Sequence, residues 1–260
     1  MSVIEDLFGV RGKSVVVTGG SRGIGEAIAE TFVRAGARVY ICARRAEDVA
    51  ATAARLSEFG HCRGLPADLS SEAGRQAFIQ DLMQHEDSLD VLINNAGTIW
   101  SAPLAEYPES GWDKVFDLNV KGLFFFIRDL VPMLAKAGRH GAPARVINVG
   151  SVNAFHVPKH DTYAYAASKA AVHHLSAHLA KRLARDHITV NVIAPGLFPS
   201  KLLTSTLESK GEDEVIAPIP LKRLTGPSDM AGAAIYLASA AGAYVTAAVI
   251  PVDGGYATTL

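Results

Sequence analysis

The chain has 260 residues, of which 49% are hydrophobic and 20% are charged, and its formal net charge at pH 7 is -1. This length can bury a large core, and this composition excludes an intrinsically disordered chain. The nearly neutral charge balance gives no reason to expect nucleic acid as a partner. The opening MSVIEDLFGV carries two acids and no cationic start, which does not resemble a signal peptide, and no apolar run is long enough to span a bilayer. We therefore expect a globular cytoplasmic protein that does not bind a membrane.

Short runs rich in β-branched residues alternate with longer amphipathic runs along the chain. The short runs predict strands at 14–18, 38–43, 62–69, 90–97, 145–151, 188–196 and 248–255. The longer runs predict helices at 23–36, 47–60, 72–85, 111–137, 162–186 and 228–239. This alternation predicts a single α/β domain over residues 1–260, with a doubly wound parallel sheet of about seven strands and helices on both faces.

The stretch 195–222 interrupts this alternation, because it is irregular, rich in proline and broken by Gly211. A connection this long in a compact domain is usually a functional loop. It follows the carboxyl end of a strand, where α/β sheets bind ligands, so we favour a substrate lid near 197–218. The apolar underside of this lid would consist of Leu197, Phe198, Leu202, Leu203 and Leu207. The alternative is an ordinary surface helix with a small core contact of its own.

Three glycines, Gly19, Gly23 and Gly25, stand in TGGSRGIG, where the first strand passes into the following helix. Glycine permits a tight turn and a close approach of backbone to a phosphate, and free amides at a helix start can hold that phosphate. The turn therefore predicts a dinucleotide site. Besides the glycines, its cofactor-binding residues would be Ser21, Arg22 and Ile24.

The end of the second strand distinguishes the two nicotinamide dinucleotides. An acidic residue there would bind a ribose 2′-hydroxyl, whereas an arginine would accommodate a 2′-phosphate. The sequence is CARRAED, with Arg44 and Arg45 where the acid would stand. The helix dipole disfavours cations at a helix start, so their presence indicates a bound anion. We therefore expect NADP(H) as cofactor, with Arg22 contacting the same phosphate; two solvated arginines are the alternative.

The stretch DTYAYAASK at 161–169 places two tyrosines ahead of one lysine. At about 100° per residue, side chains four apart share a helix face, whereas side chains six apart diverge by roughly 120°. Lys169 can therefore serve Tyr165 and not Tyr163. A lone tyrosine and lysine at this spacing are usually a packed ring beside a solvated amine, so the pair needs further support to indicate catalysis.

Eight short motifs, in this order, resemble those of the short-chain dehydrogenase/reductase family over residues 10–256. They are TGGSRGIG (18–25), ADL (67–69), NNAG (94–97), LNVKG (118–122), VGS (149–151), YAASK (165–169), NVIAPG (191–196) and VDGG (252–255). Within the family, the nearest resemblance is to 3-oxoacyl-thioester reductases. The resemblance implies a Rossmann-type fold and NADPH-dependent reduction of a ketone. It also implies a homotetramer or homodimer, formed by the helices that carry Asn119 and Tyr165.

The resemblance assigns roles to individual residues. The catalytic set would be Asn119, Ser151, Tyr165 and Lys169. Tyr165 would donate the proton, with the pKa of its phenol lowered by Lys169. Ser151 would hold the carbonyl oxygen, and Asn119 would position a water between Lys169 and solvent. The other cofactor-binding residues would be Asp68, Leu69, Asn95, Ala96, Gly97, Pro195 and Gly196, together with Tyr165 and Lys169.

Three places depart from the family pattern. Ser151 and Tyr165 are 14 residues apart, one more than is usual in the group. Ser200 stands near the position of a common threonine, and YVTAAVI (244–250) lacks a glycine that is common before the last strand.

The substrate would be a small-molecule ketone or an acyl thioester, with the acyl group carried on acyl carrier protein or on coenzyme A. Two alternatives stay open. One is a dehydrogenase or reductase of a sterol, sugar or other secondary alcohol, and the other is a cofactor-binding regulator without turnover.

Histidine and cysteine patterns do not predict a metal site. His174 and His178 have the spacing of helical metal ligands, but the glutamate of HExxH and a third ligand are missing. We expect structural or interface roles for both. His156 would line either the substrate mouth or an exposed loop, as would His160. The two cysteines, Cys42 and Cys62, lack the spacing of a zinc site and are expected to be buried thiols.

Overall fold

A computed structural model describes residues 2–199, 201–257 and 259, with only the backbone described at 201, 202 and 205. The strands are β1 (Ser14–Thr18), β2 (Arg38–Cys42), β3 (Cys62–Gly64), β4 (Val91–Asn94), β5 (Ala144–Val149), β6 (Ile188–Pro195) and β7 (Val249–Val252). They form a seven-stranded parallel sheet in the order β3-β2-β1-β4-β5-β6-β7. Strands β1 to β3 are added toward one side of the sheet, and strands β4 to β7 are added toward the other side. Open α/β sheets bind ligands where the strand order changes direction in this way, which here is between β1 and β4.

Helices cover both faces of this sheet. Within the described residues, they are α1 (Val3–Phe8), α2 (Gly23–Arg34), α3 (Ala46–Ser57), α4 (Glu72–Met83), α5 (Glu109–Phe116), α6 (Leu123–Ala137), α7 (Tyr163–Leu183), α8 (Lys201–Lys210), α9 (Glu212–Ile216) and α10 (Pro227–Ala238). Short 3-10 turns lie at Leu104–Glu106, Val152–Ala154, Ala184–Asp186 and Ala240–Gly242. A π-helical turn, Asp117–Gly122, joins α5 to α6. In this part of the chain, no helix combines the length and the apolar character that crossing a bilayer would require.

The inner strands are apolar on both faces because helices lie on both sides. Every residue of β1, β4, β5 and β6 is buried. Successive side chains of a strand point to opposite faces. Val16 therefore joins the core layer that contains Phe126 of α6, whereas Val17 joins the layer that contains Phe32 of α2. The doubly wound parallel sheet predicted from the sequence is confirmed.

The stretch 195–222, predicted as irregular, instead contains α8 and α9, and that prediction is wrong. Leu203 and Val215 are buried, so each short helix has an apolar contact that stabilises it. Gly211, with φ 82°, separates the two helices. The arrangement matches the alternative of a surface helix with its own core contact. A lid function for 197–218 stays a prediction, and both Ser200 and the Leu202 side chain lie outside the described residues.

Two further elements differ from those predicted. The helix expected over 111–137 begins at Glu109 and is divided by the π turn into α5 and α6. The first helix, α1, was not predicted, although its start carries a sequence signal. Ser2 and Glu5 form a capping box, in which the Ser2 hydroxyl accepts the Glu5 amide at 3.3 Å and the Glu5 carboxylate accepts the Ser2 amide at 3.0 Å.

Candidate active site

The glycine turn lies between β1 and α2, at the carboxyl edge of the sheet. Gly19 and Gly23 have φ values of 65° and 58°, in the left-handed region that glycine favours. The space above Gly23 is open, with no heavy atom within 4 Å of where a Cβ would stand. At Gly25 a Cβ would lie 2.3 Å from the Gly19 carbonyl oxygen, so the missing side chain lets α2 pack on the turn. An open backbone concavity at a helix start suits a phosphate group.

Hydrogen bonds hold the glycine turn to the end of β4. Asn95 Nδ2 donates to the carbonyl oxygens of Thr18 and Gly19 at 3.0 and 3.2 Å. The Thr18 hydroxyl accepts the amides of Asn95 and Ala96 at 3.0 and 2.9 Å. On the other side of the turn, the Thr52 hydroxyl donates to the Ser21 carbonyl at 3.1 Å. Thr18 was not selected from the sequence, although it directly precedes the glycines.

Exposed arginines lie in this turn and directly after β2. Arg22 is the N-cap residue of α2, and Arg45 is the N-cap residue of α3, with its Nε 3.2 Å from Asp48 Oδ2. The Gly20 amide donates to the last carbonyl of β2 at 3.2 Å, so the turn lies against the strand that Arg44 follows. These cations therefore follow neighbouring strands at the same edge of the sheet, where they suit an anionic group.

Two other predicted cofactor segments lie at the same edge. Asp68 Oδ1 accepts the amide and the hydroxyl of Ser70 at 3.0 and 2.7 Å, which orients the carboxylate, and Leu69 beside it is buried. Pro195 ends β6, and the Gly196 amide donates to the last carbonyl of β7 at 3.0 Å. The segments therefore lie on either side of the glycine turn along the sheet edge.

The structure brings Ser151, Tyr165 and Lys169 together between β5 and α7. The Ser151 side chain lies close enough to the Tyr165 hydroxyl to lower the pKa of that phenol. Its Oγ also accepts the Asn153 amide at 3.1 Å. Lys169 Nζ donates to the Val149 carbonyl at 2.7 Å and lies 5.6 Å from the centre of the Tyr165 ring. Tyr165 and Lys169 therefore share a helix face, as their spacing in the sequence predicted.

Tyr163 lies on a different side of α7. Its side chain is exposed, and its hydroxyl donates to Asp161 Oδ1 at 2.7 Å. Its ring packs edge-on against Tyr107, with 5.6 Å between ring centres. The structure therefore separates the two tyrosines.

Asn119 lies in the π turn between α5 and α6 and is buried. Its Oδ1 accepts the Thr98 amide at 2.8 Å, and its Nδ2 donates to the Thr98 carbonyl and the Ser168 hydroxyl, both at 3.0 Å. A methyl group added at Gly97 would lie 3.4 Å from Asn119 Oδ1 and 3.8 Å from Lys169 Nζ. Asn119 and Lys169 therefore border the same small space. Single π turns often mark functional sites.

Burial controls the protonation of Tyr165 and Lys169. Burial raises the pKa of Tyr165 above its ordinary value, and the nearby Ser151 side chain opposes this rise. Burial lowers the pKa of Lys169 to about 8. The net pKa of Tyr165 is raised because desolvation of the phenol dominates, and a lowering by Lys169 stays a prediction. At neutral pH, Tyr165 is a protonated phenol and Lys169 is largely a cation.

The histidines and cysteines considered in the sequence analysis lie outside this constellation. His174 and His178 are exposed, and across the described positions no three His, Cys, Asp or Glu residues group as metal ligands. The half-buried His156 packs against Tyr256, with ring centres 5.0 Å apart, while His160 is exposed. Both cysteines are free thiols; Cys42 is buried, and Cys62, predicted as buried, is only half-buried because it begins an edge strand.

Comparison with known proteins assigns the chain to a family. A family model described as Enoyl-(Acyl carrier protein) reductase matches residues 19–257. The chain is 51% identical to the rhamnolipids biosynthesis 3-oxoacyl-(acyl-carrier-protein) reductase of Pseudomonas aeruginosa over 250 residues, which are 96% of this chain and 98% of that protein. The chain belongs to the short-chain dehydrogenase/reductase family. The family predicted from the eight motifs is confirmed.

Solved structures agree with this assignment. The Pseudomonas aeruginosa RhlG/NADP active-site complex superposes with a TM-score of 0.93 at 50% identity, covering 97% of this chain and 99% of that one. A gluconate 5-dehydrogenase from Burkholderia cenocepacia, in complex with NADP and tartrate, superposes with a TM-score of 0.90 at 29% identity, covering 98% and 99%. One fold thus serves relatives with different substrates, so the substrate must be argued from the site.

Proposed function

We propose that this protein reduces a ketone to a secondary alcohol with NADPH, and that the ketone is a 3-oxoacyl thioester. The observation that carries the proposal is the pair of Ser151 and Tyr165, whose side chains are close enough to interact, with Lys169 Nζ 5.6 Å from the centre of the Tyr165 ring. The pair lies at the same sheet edge as the open glycine turn. The relative that is 51% identical carries the name of a 3-oxoacyl reductase, which supports the substrate class.

The residues at this edge fit NADP(H). The concavity above Gly23, where no side chain intrudes, would hold phosphate, and Arg22 and Arg44 would contact the 2′-phosphate. Asp68 and Leu69 would border the adenine, and Pro195 and Gly196 would lie beside the nicotinamide. Bound NADPH would supply the hydride. A similar structure is an NADP complex, which supports this choice of cofactor.

The chain's own residues would stabilise and protonate the product oxygen. Negative charge develops on the carbonyl oxygen during reduction, so nearby hydrogen-bond donors accelerate the reaction. Ser151 and Tyr165 would both donate to that oxygen. Because the pKa of Tyr165 is raised, its phenol stays protonated at neutral pH and is available as the acid. Lys169 would then stabilise the phenolate, and Asn119 would position a water that returns the proton.

Apolar side chains beside the site favour an acyl substrate. On the loop that follows Ser151, Phe155 is 47% exposed and Val157 is 86% exposed. Neighbouring exposed apolar side chains usually mark a surface that an apolar partner covers. A sugar would instead require several polar partners in the pocket. The acyl group would arrive on acyl carrier protein or on coenzyme A.

The test is an assay of NADPH oxidation with matched ketone and enoyl substrates. The purified protein is mixed with NADPH and a medium-chain 3-oxoacyl thioester, and the hydroxyacyl product is identified by mass spectrometry. Parallel reactions contain the matching 2-enoyl thioester, a keto sugar, or NADH in place of NADPH. We expect the 3-oxoacyl thioester to react best, and NADH to be at least about tenfold poorer in kcat/KM. Preference for the enoyl thioester or the sugar would refute the substrate, and absence of turnover on every substrate would favour the non-catalytic regulator.

We also propose that the protein is a cytoplasmic homotetramer or homodimer assembled through α6 and α7. Phe126 and Ile127 of α6 are buried in the core, whereas Phe124 and Phe125 are only half-buried and remain partly available. Light scattering of the purified protein measures the assembly, and a monomer would refute this part of the proposal.

A further inference from the structure

His173 lies against the backbone that carries Ser151. Its Nε2 accepts the Ser151 amide at 3.4 Å. A Cβ at Gly150 would lie 2.2 Å from this Nε2 and 2.7 Å from Cδ2 of the same ring. Because real Cβ atoms do not approach so closely, only glycine at position 150 admits the imidazole. The ring also contacts Phe155, with 5.8 Å between ring centres.

Helix α7 therefore holds the end of β5 at two places. Lys169 donates to the Val149 carbonyl at 2.7 Å, and His173, one turn further along the helix, accepts the Ser151 amide. The two side chains thus satisfy a carbonyl and an amide on either side of Gly150. This fixes the backbone from which the Ser151 hydroxyl reaches Tyr165.

The imidazole can accept this hydrogen bond only when it is neutral. Burial, and then the charge of Lys169, lowers the pKa of His173 to about 4. The ring is therefore neutral at neutral pH, and the Ser151 contact requires the tautomer with its proton on Nδ1. The next residue, His174, is exposed and offers a matched comparison.

We propose that His173 is a positioning residue for ketone reduction, because it holds the Ser151 amide and so directs the Ser151 hydroxyl at the substrate carbonyl. The inference rests on the proposed function of this site. His173 acts through Ser151 and does not itself contact the substrate or the cofactor.

Three variants test this role. His173→Leu removes the acceptor, His173→Gln retains an amide oxygen that can accept the same hydrogen bond, and His174→Leu is the control on the adjacent, exposed position. We expect His173→Leu to lower kcat about tenfold, the effect of losing one hydrogen bond, with KM for NADPH little changed. His173→Gln should recover most of kcat, and His174→Leu should match the unmodified protein.

Hydrogen exchange at the Ser151 amide, measured by NMR on labelled protein, gives a readout that does not depend on turnover. We expect faster exchange in His173→Leu than in His173→Gln. Full activity and unchanged exchange in His173→Leu would overturn the inference, as would equal losses in the Leu and Gln variants. If the unmodified protein reduces no ketone, the proposed function fails, while the exchange rates still decide whether His173 holds Ser151. His173→Met replaces His173→Leu if that variant does not fold.

Discussion

Single residues on the first turns of α7 determine what the site can do. Tyr165 and Tyr163 differ by about 160° around the helix axis, because they are two residues apart. Tyr165 consequently meets Ser151, whereas Tyr163 meets Asp161 at the exposed side. The same helical geometry places Lys169 beside Tyr165. Because both residues carry a phenol, their angular positions around the helix decide which of them can donate the proton.

The two tyrosines can be separated by removing one hydroxyl at a time. Tyr165→Phe keeps the ring and its packing but removes the proton donor, so we expect kcat to fall by roughly 10²–10⁴. NADPH binding, followed by fluorescence, should change little. Tyr163→Phe is the control and should keep most of the activity. An inactive Tyr163→Phe beside an active Tyr165→Phe would contradict the catalytic assignment.

The two arginines after β2 differ in what they already contact. Arg45 Nε lies 3.2 Å from Asp48, which competes with a ligand for its charge, whereas Arg44, which is also exposed, has no ion pair among the described residues. We expect Arg44→Asp to raise KM for NADPH about ten- to hundredfold, because a charge-assisted contact is lost and a repulsion is added. The matched Arg45→Asp should have a smaller effect. Steady-state kinetics with NADPH and NADH measures both, and equal kinetics with the two cofactors in the unmodified protein would refute a 2′-phosphate site.

At the scale of elements, the connection into β7 contains backbone strain. Ala247 has φ 60°, a conformation that costs a residue with a Cβ more than it costs glycine. The position is held because the Ala247 amide donates to the Val190 carbonyl at 2.8 Å, which begins the pairing of β6 with β7. Ala247 stands in YVTAAVI, the run that lacks the family's common glycine. Pairing of the two strands therefore offsets the local strain.

Relieving this strain should stabilise the protein. We expect Ala247→Gly to raise the free energy of unfolding by about 1 kcal/mol. Ala248→Gly, at the next position, where φ is not positive, should instead lower it by about 0.5–1 kcal/mol. Urea midpoints at constant m-value measure both changes. A lower midpoint for Ala247→Gly would show that the alanine methyl group makes a favourable contact that outweighs the strain.

At the scale of the whole molecule, the candidate site lies at the carboxyl edge of the sheet, and an ion pair between a buried carboxylate and a partly exposed arginine lies at the amino edge. Glu86, just before β4, accepts Nε and Nη2 of Arg38 at 2.5 and 2.7 Å and the Tyr40 hydroxyl at 2.8 Å. Arg38 begins β2, so the cluster joins the starts of two strands. The candidate active site and this stabilising contact therefore lie at opposite edges of the sheet, about one strand length apart.

The sequence predicted most of the fold because its signal is local. A continuous apolar run such as Ser14–Thr18 needs helices on both faces, and parallel strands bring their carboxyl ends to one edge. That geometry explains why Ser151 could be placed near the glycine turn in advance. The contact of His173 and the raised pKa of Tyr165 could not be predicted, because both depend on how closely α7 packs on β5. The helices within 195–222 likewise depend on core contacts that periodicity over so short a stretch does not reveal.

The amino-edge cluster should control stability without affecting turnover. Burial alone would raise the pKa of Glu86, but hydrogen bonds from Arg38 and then Tyr40 bring it below its ordinary value. A carboxyl whose pKa is lowered by folding stabilises the protein above its unfolded pKa, and this stabilisation is lost as the pH falls through the folded value. Glu86→Gln should therefore lower the free energy of unfolding at pH 7 by about 1–3 kcal/mol, a figure reduced because Arg38 is partly exposed. The difference should shrink below about pH 4. Urea unfolding at pH 7 and below about pH 4 measures this difference in the free energy of unfolding, and Glu58→Gln is the exposed control. The kcat of both variants is measured at pH 7. A loss of kcat in Glu86→Gln at an unchanged urea midpoint would contradict the separation of the two edges.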